Sequence, residues 1–240
     1  MKRITAVALV LVLAGCSTVE SKDIRTSGIT ADYVVTLPET DDVAKVSASY
    51  RVGKLTFVEL GDGESVTSSG GGKNVRLERH RAAGATEYGG RLDGVVAAGT
   101  EITFDLSRGK DDDSAPRSTV KLPERVRLTA PLAGTTYSRR SPIPVRVDSA
   151  PSELPSVLTW NGECIQTGSL ELAPGRTSLS IPTGSIRPAT ETPTPGAKPT
   201  TTCPVDLTLT RRSEGTLDKA FKNGHITAES QSVRRITSTP

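Results

Sequence analysis

The chain has 240 residues, of which 35% are hydrophobic, 24% charged and only 3% aromatic. Its formal net charge is +3, Lys2 and Arg3 account for two of the excess cations, and both signs are scattered over the remainder, which leaves no basic footprint for nucleic acid. Val, Thr, Ser, Gly and Pro are abundant and no stretch beyond residue 15 keeps an i, i+3, i+4, i+7 apolar pattern, so a helical bundle is excluded and an all-β protein is expected.

Lys2 and Arg3 precede an apolar run from Ile4 to Ala14, and Leu13-Ala14-Gly15-Cys16 closes it. The run is well short of the roughly 20 residues that span a bilayer as a helix, so it reads as a segment that is removed. Charge, apolar run, small residues and Cys in this order resemble the signal of bacterial lipoproteins, over residues 1–16. The resemblance implies that Leu13, Ala14 and Gly15 are read by the signal peptidase and that residues 1–15 are released. It also implies that Cys16 receives a diacylglyceryl group on its thiol and a fatty acid on the new amino terminus. No other cofactor is expected. Each buried methylene adds about 0.8 kcal/mol and one chain alone binds reversibly, so two or three chains on one residue hold a protein in membrane lipid. In this family an Asp after the Cys retains the protein in the inner membrane; Ser17 implies the outer membrane, facing either side of it.

Residues 16–24 read as the acylated Cys and a tether, and residues 25–121 as a first β-sandwich. Its expected strands are Ile29 to Leu37, Val43 to Val52, Leu55 to Leu60, Asn74 to Arg79, Thr86 to Leu92, Thr100 to Leu106 and Ser118 to Lys121, each alternating apolar with polar residues. Gly61-Asp62-Gly63 reads as a hairpin turn that tolerates positive φ, and Lys110-Asp111-Asp112-Asp113 as a polar hairpin tip. Seven or so strands without a fixed repeat favour a sandwich over a propeller or β-helix.

A second β-sandwich is expected over residues 122–240. Arg125 to Thr129, Ile143 to Val147, Ser156 to Trp160, Leu170 to Leu172, Ser178 to Ile181 and Val205 to Thr210 read as strands, and Ile226 to Ile236 as one or two more. Trp160, the one tryptophan, falls where immunoglobulin-like folds place a core Trp, and the segment resembles an immunoglobulin-like or fibronectin-like sandwich. Pro188 to Thr202 is too rich in proline for a central strand and reads as a surface loop. Cys164 and Cys203, the only cysteines besides Cys16, are expected to form a disulfide at the feet of that loop.

Chemistry is thinly marked. His80 and His225 are the only histidines, neither lies near a nucleophile motif such as Gly-x-Ser-x-Gly, and no ligand-like spacing suggests zinc. Asp41-Asp42, Asp62 with Glu64, and Asp111, Asp112 and Asp113 place carboxylates on expected loop tips; Asp62, Glu64 and the three later acids are the weak calcium candidates, though none matches an EF-hand. Four Tyr, three Phe and one Trp give little material for sugar-stacking platforms, and a peptide adding a strand to a sheet edge leaves no sequence mark. The reading is a non-enzymatic structural, adhesive or binding module of the cell envelope, with membrane lipid and an envelope protein or glycan as partners. The alternative is an envelope hydrolase built on one of the histidines.

Overall fold

A computed structural model describes residues 17–82, 84–109, 114–150, 152–189 and 202–240. The chain folds as two β-sandwiches that share one long hairpin. In the first, β2 (Thr30–Pro38) buries Ala31, Tyr33, Val35 and Leu37 on alternate positions, and β3 (Val43–Val52) buries Val46, Ala48 and Tyr50. These strands pair antiparallel, and the far edge of β3 is shared by β4 (Thr56–Glu59) and β8 (Ala85–Asp93). β1 (Ser17–Glu20) runs parallel to β4, and β7 (Glu78–Ala82) pairs with β8. The opposing sheet is ordered β10 (Ala115–Lys121), β9 (Glu101–Ser107), β5 (Ser65–Gly70), β6 (Lys73–Arg76).

Aromatic side chains join the two layers. Tyr33 stacks on Phe104 of β9 with ring centroids 4.5 Å apart, and meets Tyr50 edge-on at 5.9 Å. Both tyrosines are fully buried, yet their hydroxyls lie 3.1 Å apart and satisfy each other, which spares the core an unpaired polar atom. Burial pushes both phenols well above their ordinary pKa. Tyr88 solves the same problem locally, its hydroxyl accepting from the Leu60 amide at 2.8 Å.

The second sandwich has β11 (Val126–Ala130), β13 (Ile143–Ser149) and β16 (Ser178–Ile181) in one sheet. The other is ordered β15 (Gly168–Leu172), β14 (Ser156–Asn161), β17 (Cys203–Glu214), β18 (Asn223–Thr239), with β12 (Thr136–Ser138) parallel to β18. Three strands facing four, with the early strand split between the sheets, is an immunoglobulin-like order. Trp160 is buried in this core, and its ring lies so close to Gly168 that a Cβ there would stand 2.3 Å from it. Cys164 and Cys203 form a disulfide that spans 39 residues. Beside it Gln166 donates to the Arg187 carbonyl at 2.8 Å and Ala189 to that of Cys164 at 3.0 Å, fixing one foot of the proline-rich segment; residues 190–201 lie outside the described residues.

β17 pairs with β18 over its whole length, from Cys203 opposite Ser238 to Glu214 opposite Thr227, and β18 is one unbroken strand of 17 residues. Its first half runs parallel to β2, from Asn223 opposite Thr30 to Gln231 opposite Pro38. Ile226 and Ala228 enter the first core, together with Phe221 from the hairpin tip, whereas Ile236 enters the second. The tip also bonds to β10, through reciprocal backbone hydrogen bonds of Thr119 and Thr216. Sequence alone places nothing beyond residue 122 in the first body.

Three local readings are corrected. Gly63 has the expected positive φ of 82°, but the Gly61-Asp62-Gly63 turn carries the chain from one sheet to the other, since β4 and β5 do not pair with each other. Asn74 to Arg79 is two strands, because the chain changes sheets at the buried Leu77. Residues 17–24 are folded onto the body: β1 takes four ladder positions and Ser21–Asp23 forms a 3₁₀ turn.

A fragment ending at Leu122 lacks Phe221, Ile226 and Ala228 and should show no cooperative thermal unfolding. In the full chain Phe221→Ala should cost about 3–5 kcal/mol by denaturant titration. Non-reducing mass spectrometry should find the Cys164–Cys203 peptide, and replacing both by Ser should cost about 2–4 kcal/mol.

Candidate functional site

Cys16, with Leu13, Ala14 and Gly15, lies outside the described residues, but the chain is already fixed one position later. Ser17 stands opposite Thr56 in the β1–β4 ladder and Glu20 opposite Glu59. The following turns are held by Arg108, which emerges from β9 with a side chain only 3% exposed. Its Nε donates to Glu64 Oε1 at 2.9 Å, Nη1 to the Ile24 carbonyl at 2.7 Å and to Thr26 Oγ1 at 3.0 Å, and Nη2 to the Ser21 carbonyl at 2.6 Å. The other carboxylate oxygen of Glu64 accepts from the Ser21 hydroxyl and from the Gly61 amide at 2.9 Å. A buried ion pair holds only when hydrogen bonds repay its desolvation; here both partners spend theirs on the amino-terminal segment. Burial raises the Glu64 pKa, but the bonds from Ser21, Gly61 and Arg108 outweigh it and leave the carboxyl below its ordinary value.

Beside this lock lies a groove of about 520 Å³ lined by Glu20, Lys22, Glu59, Asp62, Glu64, Arg79 and Arg108. Its acids are largely compensated. Glu59 is paired with Arg79 and Arg81, Glu20 with Lys22 at 2.8 Å, and Glu64 with Arg108. The Arg81 hydrogen bond in particular lowers the Glu59 pKa, so this carboxyl is ionised at neutral pH and is no general acid. Among the calcium candidates, Glu64 has both oxygens committed beside a guanidinium and Asp62 lies exposed on the turn; Asp111, Asp112 and Asp113 lie outside the described residues. No group of three or more His, Cys, Asp or Glu residues suited to a metal occurs among the described residues.

The two histidines share the outer face of one sheet, but β8, β3 and β2 separate β7 from β18, about 19 Å at the usual strand spacing. His225 Nδ1 lies 3.2 Å from Asp32 Oδ1, and Asp32 also binds Arg51. Ser49 is the cross-strand neighbour of Asp32, so the carboxylate stands between imidazole and hydroxyl, whereas a nucleophilic triad needs the imidazole there. His80 faces a shallow groove of about 640 Å³ floored by Gly89 and Gly90 and rimmed by Lys45, Arg76, Glu87 and Arg91, with no Ser, Thr or Cys in its lining.

A second set of polar contacts joins the sandwiches. Glu39, just past β2, takes a two-pronged bond from Arg234 at 2.6 and 2.7 Å and one from the Ser232 hydroxyl at 2.6 Å. Arg234 also reaches the Leu128 carbonyl at 2.6 Å. Val126 and Leu128 of edge strand β11 donate their free amides to the hydroxyls of Ser230 and Ser232, at 3.0 and 2.8 Å. The Arg234 hydrogen bond is the main cause of a lowered Glu39 pKa. Sequence reasoning missed these residues and Arg108, because each partner is remote in the chain.

Both carboxyls titrate lower in the folded than in the unfolded chain, so their contribution is complete above about pH 4.3 and is lost as pH falls through their folded values. Hydrogen exchange should therefore accelerate in residues 17–28 and at the β11 amides on acidification below about pH 4, ahead of the strand cores. At neutral pH Arg108→Met should expose Arg25 to trypsin, with a cost of about 3–5 kcal/mol for the orphaned Glu64.

No family model matches the chain, and no curated protein matches it. Among solved structures it is similar to the fibronectin(III)-like modules of Clostridium thermocellum CbhA, with 11% identity, a TM-score of 0.24 and coverage of 88% of this chain and 93% of that one. It is also similar to DIP-gamma IG1+IG2, with 8% identity, a TM-score of 0.23 and coverage of 88% and 97%. A two-domain fibronectin type-III segment of chicken tenascin has 14% identity, a TM-score of 0.22 and coverage of 84% and 96%. Likenesses at this level carry no argument, and the all-β fold rests on the strand order itself.

Proposed function

We propose that the chain is a lipid-anchored protein of the bacterial cell envelope that acts without catalysis, as a structural or binding module. The observation that carries this reading is the register of Ser17 with Thr56, directly after the lipobox-like Leu13-Ala14-Gly15-Cys16. In this reading acyl chains on Cys16 attach to a folded body rather than to a loose leader, since Arg108 and Glu64 tie down the residues that follow. Ser17 in the position after the Cys favours the outer membrane. The bonds between Glu39, Arg234, Ser230 and Ser232 couple the two sandwiches, a property suited to presenting a surface at a set distance from the lipid. The envelope protein or glycan that such a surface meets is left to be identified by capture from intact envelopes.

The absence of catalysis is supported by the placement of the two histidines and by the paired carboxylates of the groove. Replacing Cys16 by Ala should abolish incorporation of labelled fatty acid and move the protein from the membrane to the soluble fraction. Continued labelling together with continued membrane association would overturn the proposal.

A further inference from the structure

We propose that the end of the first sandwich bearing Ser17 rests on the phospholipid surface through the β3–β4 tip at Lys54 and Leu55 and the adjoining Phe57. This inference rests on the acyl anchor proposed for Cys16 and adds an orientation to it. Consecutive Cα atoms are 3.8 Å apart and paired strands about 4.8 Å. A lipid on Cys16 therefore emerges within about 10 Å of Thr56, the ladder partner of Ser17, and beside Leu55.

The apolar surface is concentrated at the same place. Among the described residues, the large hydrophobic side chains exposed on the first sandwich are Leu55, 64% exposed, and Val19, 38% exposed. Leu55 directly precedes β4, Val19 is the β1 residue paired with Val58, and the partly exposed Phe57 stands opposite Thr18. A scattered exposed leucine needs no explanation, but exposure confined to the edge that meets the anchor does. Lys54 at the tip, and Lys222 just before the Asn223–Thr30 pair, are exposed and form no ion pair among the described residues. Their ammonium groups fit lipid phosphates, while the lysine stems lie along the apolar boundary. The paired row Asn223, Thr30, Arg51, Phe57, Thr18 marks this end of the sheet. β2 runs away from it over nine residues to Glu39, where the second sandwich is attached. That places the second sandwich about 30 Å farther from the lipid.

The test uses the lipidated full chain in phosphatidylcholine vesicles, with an environment-sensitive fluorophore on Leu55→Cys or, separately, on Val233→Cys of the second sandwich. Both positions are exposed, so neither label should disturb the fold, and the native cysteines are acylated or bridged. The Leu55 label should be quenched by spin-labelled lipid and shielded from iodide, and the Val233 label the reverse. Equal iodide quenching at both positions, on protein that sediments with the vesicles, would overturn the orientation while leaving the anchor standing. An amino-terminal peptide whose mass carries no acyl groups would overturn the anchor, and the orientation with it.

Discussion

The architecture depends on one strand having to serve two cores. The inward-facing residues of β18 are Ile226, Ala228, Ser230, Ser232, Arg234, Ile236 and Ser238, and their polarity changes along the strand. Ile226 and Ala228 fill the first sandwich and Ile236 the second. The polar middle falls where the two cores part, and there Ser230, Ser232 and Arg234 meet the amides of β11, the Leu128 carbonyl and Glu39. β17 follows the same plan in reverse: Val205, Leu207 and Leu209 are core, and Arg211 is the buried cation at the junction, hydrogen-bonded to Ser156 at 3.2 Å. An apolar side chain at Ser230 or Ser232 would leave a buried amide of β11 without a partner.

The two ends of the first sandwich are closed by the same device, an arginine that joins a carboxylate and a backbone carbonyl. Arg108 does this for the amino-terminal turns and Arg234 for the domain junction. Such pairs add little net stability compared with apolar packing, but they tolerate few alternative geometries. Their effect here is positional: they set where the first residues and the second sandwich sit, while the aromatic layer of Tyr33, Tyr50 and Phe104 holds the body together.

What was legible in the sequence follows the range of the forces involved. Alternation is local, so Val43–Val52 and Ser178–Ile181 are found at their observed bounds. The preference of Gly63 for positive φ is local too, but whether a turn joins paired strands or crosses between sheets depends on distant partners. The second half of the chain reads as a sandwich because its alternating strands and the placement of Trp160 mark it. The role of β18 in the first core was hidden, since Ser230 to Arg234 interrupts its apolar rhythm and the partner β2 lies far back in the chain. The contacts of Arg108 with Ser21, Ile24 and Glu64 carry no local signature at all. Cys16 is the opposite case, an expected site read from its neighbours in sequence alone and lying outside the described residues.

The shared hairpin also imposes an order on biogenesis. The first sandwich is encoded first but lacks a strand of its sheet and Phe221 of its core until β18 (Asn223–Thr239) has been made. Vectorial emergence from a ribosome therefore cannot complete it domain by domain, as multidomain chains commonly do. Its amino-terminal half must wait, with the edge of β2 unpaired, for β18 to arrive. Contacts so distant in sequence make for slow closure, and they make the docking of β18 the step that commits both sandwiches together.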